Sequence, residues 1–148
     1  MYTLKKLPFS FYELEPFIDT HTIGLHYYKH QASYLTNLNK LLENYNLNYP
    51  IEDLYNHLDE IKDEDKNDVI FYLGGVKNHD LYWETINQNN KEKPKGKLLA
   101  AISKKYGSMD NLWNEFKNLI TNLKGSGYVF LIKDKNNNID LMTTSNYS

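Results

Sequence analysis

Residues 23–42 read IGLHYYKHQASYLTNLNKLL, and this run decides how the rest of the chain is read. Ile23, Tyr27, Tyr34, Leu38, Leu41 and Leu42 recur at helical spacing, as on a helix with one buried side. Asp19 or Thr20 can cap its start, because a side-chain oxygen there accepts an otherwise orphaned backbone N–H. A helix is therefore expected from that cap to about Asn44. Along it His26, His30 and Tyr34 stand at four-residue steps. Such steps drift by only roughly 40° on a 3.6-residue helix, so the three share a face. Two imidazoles and a phenol on one face read either as a polar site or as satisfied core residues, and the spacing alone leaves both open.

Working outward, Leu4 to Phe17 is expected to be extended, since Pro8 and Pro16 interrupt helix. Downstream, Pro50 opens a short helix carrying Ile51, Leu54, Tyr55, Leu58 and Ile61. The charged stretch Lys62 to Asn67 reads as a turn, and a third long helix is expected from about Asp68 to Asn87. The stretch from Asn87 to Gly96, NQNNKEKPKG, has no apolar residue and contains Pro and Gly, which makes it the best boundary in the chain. It separates a first domain, 1–88, from a second, 97–148, with 89–96 as linker. Lys97 to Tyr106 is helical with Gly107 as C-cap. Ser108 caps a further helix bearing Met109, Leu112, Trp113, Phe116, Leu119, Ile120 and Leu123, which Gly125-Ser126-Gly127 ends. Two strands follow, Tyr128 to Lys133 and Ile139 to Thr144, around the turn-rich Asp134 to Asn138. A two-stranded sheet is marginal by itself. The pattern reads as a fold cut in mid-sheet.

Composition narrows the function classes. The 148 residues include 13 Tyr, 6 Phe and 2 Trp, and each aromatic can bury roughly 150–250 Å², so a core is within reach. A net charge of -2 carries no electrostatic footprint for nucleic acid. Lys91 to Lys97, the longest basic stretch, is interrupted by Glu92, Pro94 and Gly96. With no cysteine, disulfides, thiolate metal sites and thiol nucleophiles are all removed. No apolar run approaches the ~20 residues needed to cross a bilayer, and no leader precedes Leu7. A soluble cytoplasmic protein is the expectation.

Histidine carries the chemistry. Two His four apart on a helix can clamp one metal, yet the Glu that follows the first His in the zinc-protease motif is replaced by Tyr27. A zinc hydrolase is accordingly a weak reading. The third helix holds Gly74 and Gly75, then Asn78, His79, Tyr82 and Trp83. Each mid-helix glycine costs roughly 1 kcal/mol relative to Ala, a cost accepted where something approaches the backbone closely. Gly75, four residues before His79, is expected to leave a gap beside that imidazole, with Trp83 walling its other side. A plain helix–helix crossing with an incidental His explains the same residues. His21, at a helix start, and His57, on a polar surface, are assigned no role.

Taken together, these segments resemble the iron/manganese superoxide dismutase family. The resemblance runs through LPF at 7–9, LEPFID at 14–19, IGLHYYKHQ at 23–31 and YLTNLN at 34–39. It returns in GGVKNHDLYW at 74–83, YGS at 106–108, GSGY at 125–128 and the strand ending at 143–148. It implies an α+β fold, an N-terminal antiparallel helical hairpin followed by an α/β domain with helices and a small antiparallel sheet. It also implies one Mn or Fe ion between the domains, bound by three His, one Asp and solvent. His26 and His79 match the first two metal ligands, while His30 and Tyr34 match non-ligating residues at the substrate funnel. Trp83 matches an aromatic wall, and Tyr128 and Phe130 stand where the family usually has Trp. Superoxide and protons would be the substrates, and the assembly a homodimer.

Several positions depart from the pattern. The family's Asp-x-x-x-His segment, with its last two ligands and its dimer contact, is expected after the sheet, past Ser148. Its site glutamine occurs either four residues before the second His or after the second strand. Here those positions are Gly75, the manganese-type choice, and Tyr147, so Mn is slightly favoured. Gln31 replaces a common His. Two neutral imidazoles hold Mn²⁺ or Fe²⁺ weakly. The 148-residue chain alone is therefore expected to bind little of either, and a non-catalytic relic that keeps the fold is the alternative to an enzyme.

Overall fold

The computed structural model describes residues 1–86 and 92–146, which fall into two compact units, Met1–Asn89 and Asn90–Ser148. The expected linker lies partly outside the described residues; 92–95 have no regular structure.

In the first unit the chain does not run extended to Phe17. From Phe11 it coils into consecutive turns, with Phe17 and Ile18 N–H both donating to the Leu14 carbonyl. The turns bury Leu14 against Ile23, Tyr27 and Trp83, a contact that an extended segment would not make. Asp19 then caps a helical rod, accepting from Thr22 N–H at 2.8 Å. The rod has three parts: α1 (Thr20–Leu25), a π-helical segment (His26–Gln31) and α2 (Ala32–Leu42). In the π segment Ala32 N–H reaches back five residues to the Tyr27 carbonyl, a widened turn common at functional sites.

The segment after Pro50 forms turns and then a 3₁₀ helix, Leu54–Glu60, rather than an α-helix. It seats Leu54 and Ile61 in a cluster with Leu38, Leu42, Val69 and Leu73. Helix α3, Asp63–Thr85, begins five residues before the expected start, so Lys62 to Asn67 is not a turn. Asp63, Glu64 and Asp65 occupy its first turn, where carboxylates offset the positive end of the helix dipole. That charged run is a helix N-terminus. Helices α2 and α3 are antiparallel: Tyr34 meets Phe71, and eight residues earlier His26 meets Trp83.

In the second unit α4 (Gly96–Tyr106) ends at Gly107, whose φ of 80° suits a residue without Cβ. Ser108 Oγ accepts from Asn111 N–H at 3.1 Å and opens α5, Met109–Asn122. Helix α5 stops at Asn122, before the glycines expected to end it. Strands β1 (Gly127–Lys133) and β2 (Ile139–Ser145) pair antiparallel with Phe130 opposite Met142. Asp134 sets the connecting turn by accepting from the N–H groups of Asn136 and Asn138. Leu131, Ile139 and Leu141 join Ile102, Tyr106 and Leu112 in this unit's core. The α+β class is as expected, helices followed by a two-stranded antiparallel sheet.

Candidate metal centre

The buried stripe of α3 runs Val69, Leu73, Val76, His79 and Trp83, so an imidazole occupies a position where the helix otherwise carries apolar groups. His79 is only 1% exposed. Its Nδ1 lies 2.6 Å from the Gly75 carbonyl oxygen. A carbonyl can only accept, so Nδ1 carries the proton and Nε2 of the neutral ring presents a lone pair. Facing it, the rod supplies His26 and His30. The His26 and His79 ring centres are 4.9 Å apart, those of His30 and His79 5.0 Å. One nitrogen from each of the three rings lies within 4.8 Å of the others. The shared face read from the sequence is present, and α3 brings the third imidazole to it.

Burial holds His79 neutral, lowering its pKa to about 4, with His26 and His30 adding to the shift. The His26 pKa is lowered by burial first and by His30 second. Uncharged imidazoles at neutral pH are what a metal needs, since a ligand nitrogen cannot also hold a proton. The donors therefore fit a first-row divalent ion. Among the described residues no carboxylate belongs to the group. Asp80, beside His79 in the chain, instead accepts from Gln31.

Tyr34 lies in the same cluster, 5.1 Å from the His30 ring and 5.7 Å from His79. The glycine gap opens towards it rather than beside the imidazole. A Cβ on Gly75 would come within 2.5 Å of Tyr34 Cγ, so the bare backbone of α3 is what admits the phenol ring. Trp83 packs edge-on against His26, with ring centres 4.8 Å apart, rather than walling the far side of the His79 ring. Sequence reasoning missed the role of Gln31. It is fully buried, accepting from Trp83 Nε1 and donating to Asp80, each at 2.7 Å. The signal for it was available: an amide four residues after Tyr27, on the buried stripe of the rod.

Other positions lie apart from this cluster. His57 stacks on Tyr49 at 3.5 Å, and both contact Glu60. Tyr128 and Phe130 stack on each other along β1 in the second unit. Tyr147 lies outside the described residues.

Comparison with known proteins bears on this geometry. Residues 1–87 match the family described as iron/manganese superoxide dismutases, alpha-hairpin domain, and residues 94–148 match the C-terminal domain of those enzymes. Two relatives are each called "Superoxide dismutase [Mn/Fe] 2", from Staphylococcus aureus strains bovine RF122 / ET3-1 and Mu50 / ATCC 700699. Each is 34% identical over 146 residues, covering 98% of this chain and 72% of the relative.

Proposed function

Since the chain belongs to the iron/manganese superoxide dismutase family, a family of oxidoreductases, we propose that it disproportionates superoxide to oxygen and hydrogen peroxide at a single Mn or Fe ion held through His26 and His79. The observation that carries this reading is the convergence of three imidazoles from two helices, with nitrogens within 4.8 Å. Bound there, the metal supplies a one-electron couple, oxidising one superoxide to oxygen and reducing a second to the peroxide level. The chain does the rest. The Gly75 carbonyl fixes the His79 ring and its proton, leaving Nε2 as donor atom. Trp83, buried and edge-on to His26, keeps water from that side of the ring. Hydrogen peroxide needs two protons, and we assign the Tyr34 phenol to that proton path, with His30 beside it on the exposed side as a non-ligating neighbour. Manganese is slightly favoured because Gly75 stands where the iron-type glutamine would. No helix among the described residues is long and apolar enough to cross a membrane, and the reading extends to a cytoplasmic homodimer.

Metal analysis combined with a superoxide-consumption assay on the 148-residue chain tests the proposal. Metal-dependent consumption that disappears in His79→Ala supports it. Tyr34→Phe should keep the metal content and slow proton-limited turnover by up to about 100-fold; loss of metal in that variant would refute the assigned role. A second reading, a non-catalytic protein that keeps the fold, is favoured by the all-imidazole donor set among the described residues. Absence of both stoichiometric metal and activity in a protein that also carries the family's Asp-x-x-x-His segment would decide for it.

A further inference from the structure

One fully buried polar side chain has no part in the proposed site. Gln31 closes the π-helical segment that begins at His26. Its Oε1 accepts from the Trp83 indole N–H and its Nε2 donates to Asp80 Oδ1, each at 2.7 Å. An indole N–H only donates and an ionised carboxylate only accepts, so the polarity of the amide is set at both ends. Both partners follow His79 on α3: Asp80 comes directly after it, and Trp83 lies one helical turn on from it. Trp83, 2% exposed, packs edge-on against His26.

We infer that Gln31 is a positioning residue for the imidazole cluster, clamping the turn of α3 that directly follows His79 and holding Trp83 against His26. The widened turn has a use in this arrangement. His26 and His30 face His79 while Gln31, the residue after His30, also points into α3, and a π turn lets both sets of side chains face that helix. The clamp requires one acceptor and one donor in a fixed sense. A neutral imidazole meets that requirement, a carboxylate lacks the donor, and a thioether lacks the donor and accepts only weakly. The consequence for metal affinity rests on the proposed site; the clamp itself does not.

The test compares Gln31→His, Gln31→Glu and Gln31→Met in a Trp113→Phe background, which leaves Trp83 as the sole indole. Indole ¹⁵N–¹H and His26 ring resonances report the clamp without metal, and Co²⁺ titration reports affinity through its visible spectrum. In Gln31→Met the indole N–H should lose its hydrogen-bonded shift and slow exchange. In Gln31→Glu, which keeps an acceptor for the indole but sets a carboxylate against Asp80, the indole shift should change. In both, the His26 resonances should move and Co²⁺ affinity should fall about 10–100-fold. Gln31→His should restore all three. Unchanged His26 resonances and Co²⁺ affinity in a folded Gln31→Met protein overturn the inference, as does a Gln31→His protein as impaired as Gln31→Met. If the parent protein binds no Co²⁺, the metal reading fails separately, and the indole and His26 resonances still decide the clamp.

Discussion

A missing methyl group shapes the site. Gly75 has no Cβ, and Tyr34 fills the resulting notch so closely that Cγ and Cδ1 would lie 2.5 and 2.6 Å from one. These are atoms at the base of the ring, which cannot swing away as a flexible side-chain end would. Gly75→Ala should therefore destabilise the protein by about 1–3 kcal/mol, the range for overpacking, despite the better helix propensity of Ala. With Tyr34→Ala in place the same change should become stabilising, by up to about 1 kcal/mol. Urea denaturation of the four proteins in the cycle measures that change of sign. His79 yields a second prediction. Its folded pKa, about 4, lies below the 6.5 of an unperturbed His. Between these values the unfolded chain takes up a proton that the native ring refuses. The stability of the metal-free protein should thus be full above pH 6.5 and fall as pH drops towards about 4. Asp80, pushed up by burial, works in the opposite sense, so the difference between parent and His79→Gln isolates the effect. A difference independent of pH across that window would refute it.

Among the elements, caps were legible and irregular turns were not. Asp19 and Ser108 were both readable as N-caps, because capping depends only on a short polar side chain and the N–H groups just after it. Ser108→Ala should cost about 0.5–2 kcal/mol, detectable as a lower thermal midpoint, and Ser108→Asp should recover most of it. The start of α3 was misread because an acidic run resembles a solvated turn until it is placed at the positive end of a helix. The π segment left no trace in the spacing. Its extra width depends on what α3 presents to Tyr27, His30 and Gln31, and not on their own propensities.

For the molecule as a whole, a metal held by His26 on one helix and His79 on another is a cross-link between the two long rods of the first unit. Binding to the folded form alone would add about 2.7 kcal/mol at a free metal concentration one hundred times Kd. The thermal midpoint should rise with added Co²⁺ and rise less with Mn²⁺ at equal concentration, following the divalent affinity series. A chelator should reverse the shift, and His79→Ala should abolish it. A midpoint indifferent to both metals would count against any metal at this cluster.

By itself the sequence determined the order of elements, the caps, the hairpin turn around Asp134, and the common face of His26, His30 and Tyr34. Each depends on residues within a few positions of one another, where helix and turn geometry leave little choice. Ordered motifs over nearly the whole length also carried the family. Tertiary structure decided that the third imidazole is His79, that Tyr34 fills the notch at Gly75, and that Gln31 bridges Trp83 and Asp80. Helical periodicity tells which side chains share a face, but not which face of a distant helix they will meet. That depends on the register in which α2 and α3 pack, set by the buried Leu38, Leu42, Val69 and Leu73 together rather than by any one of them.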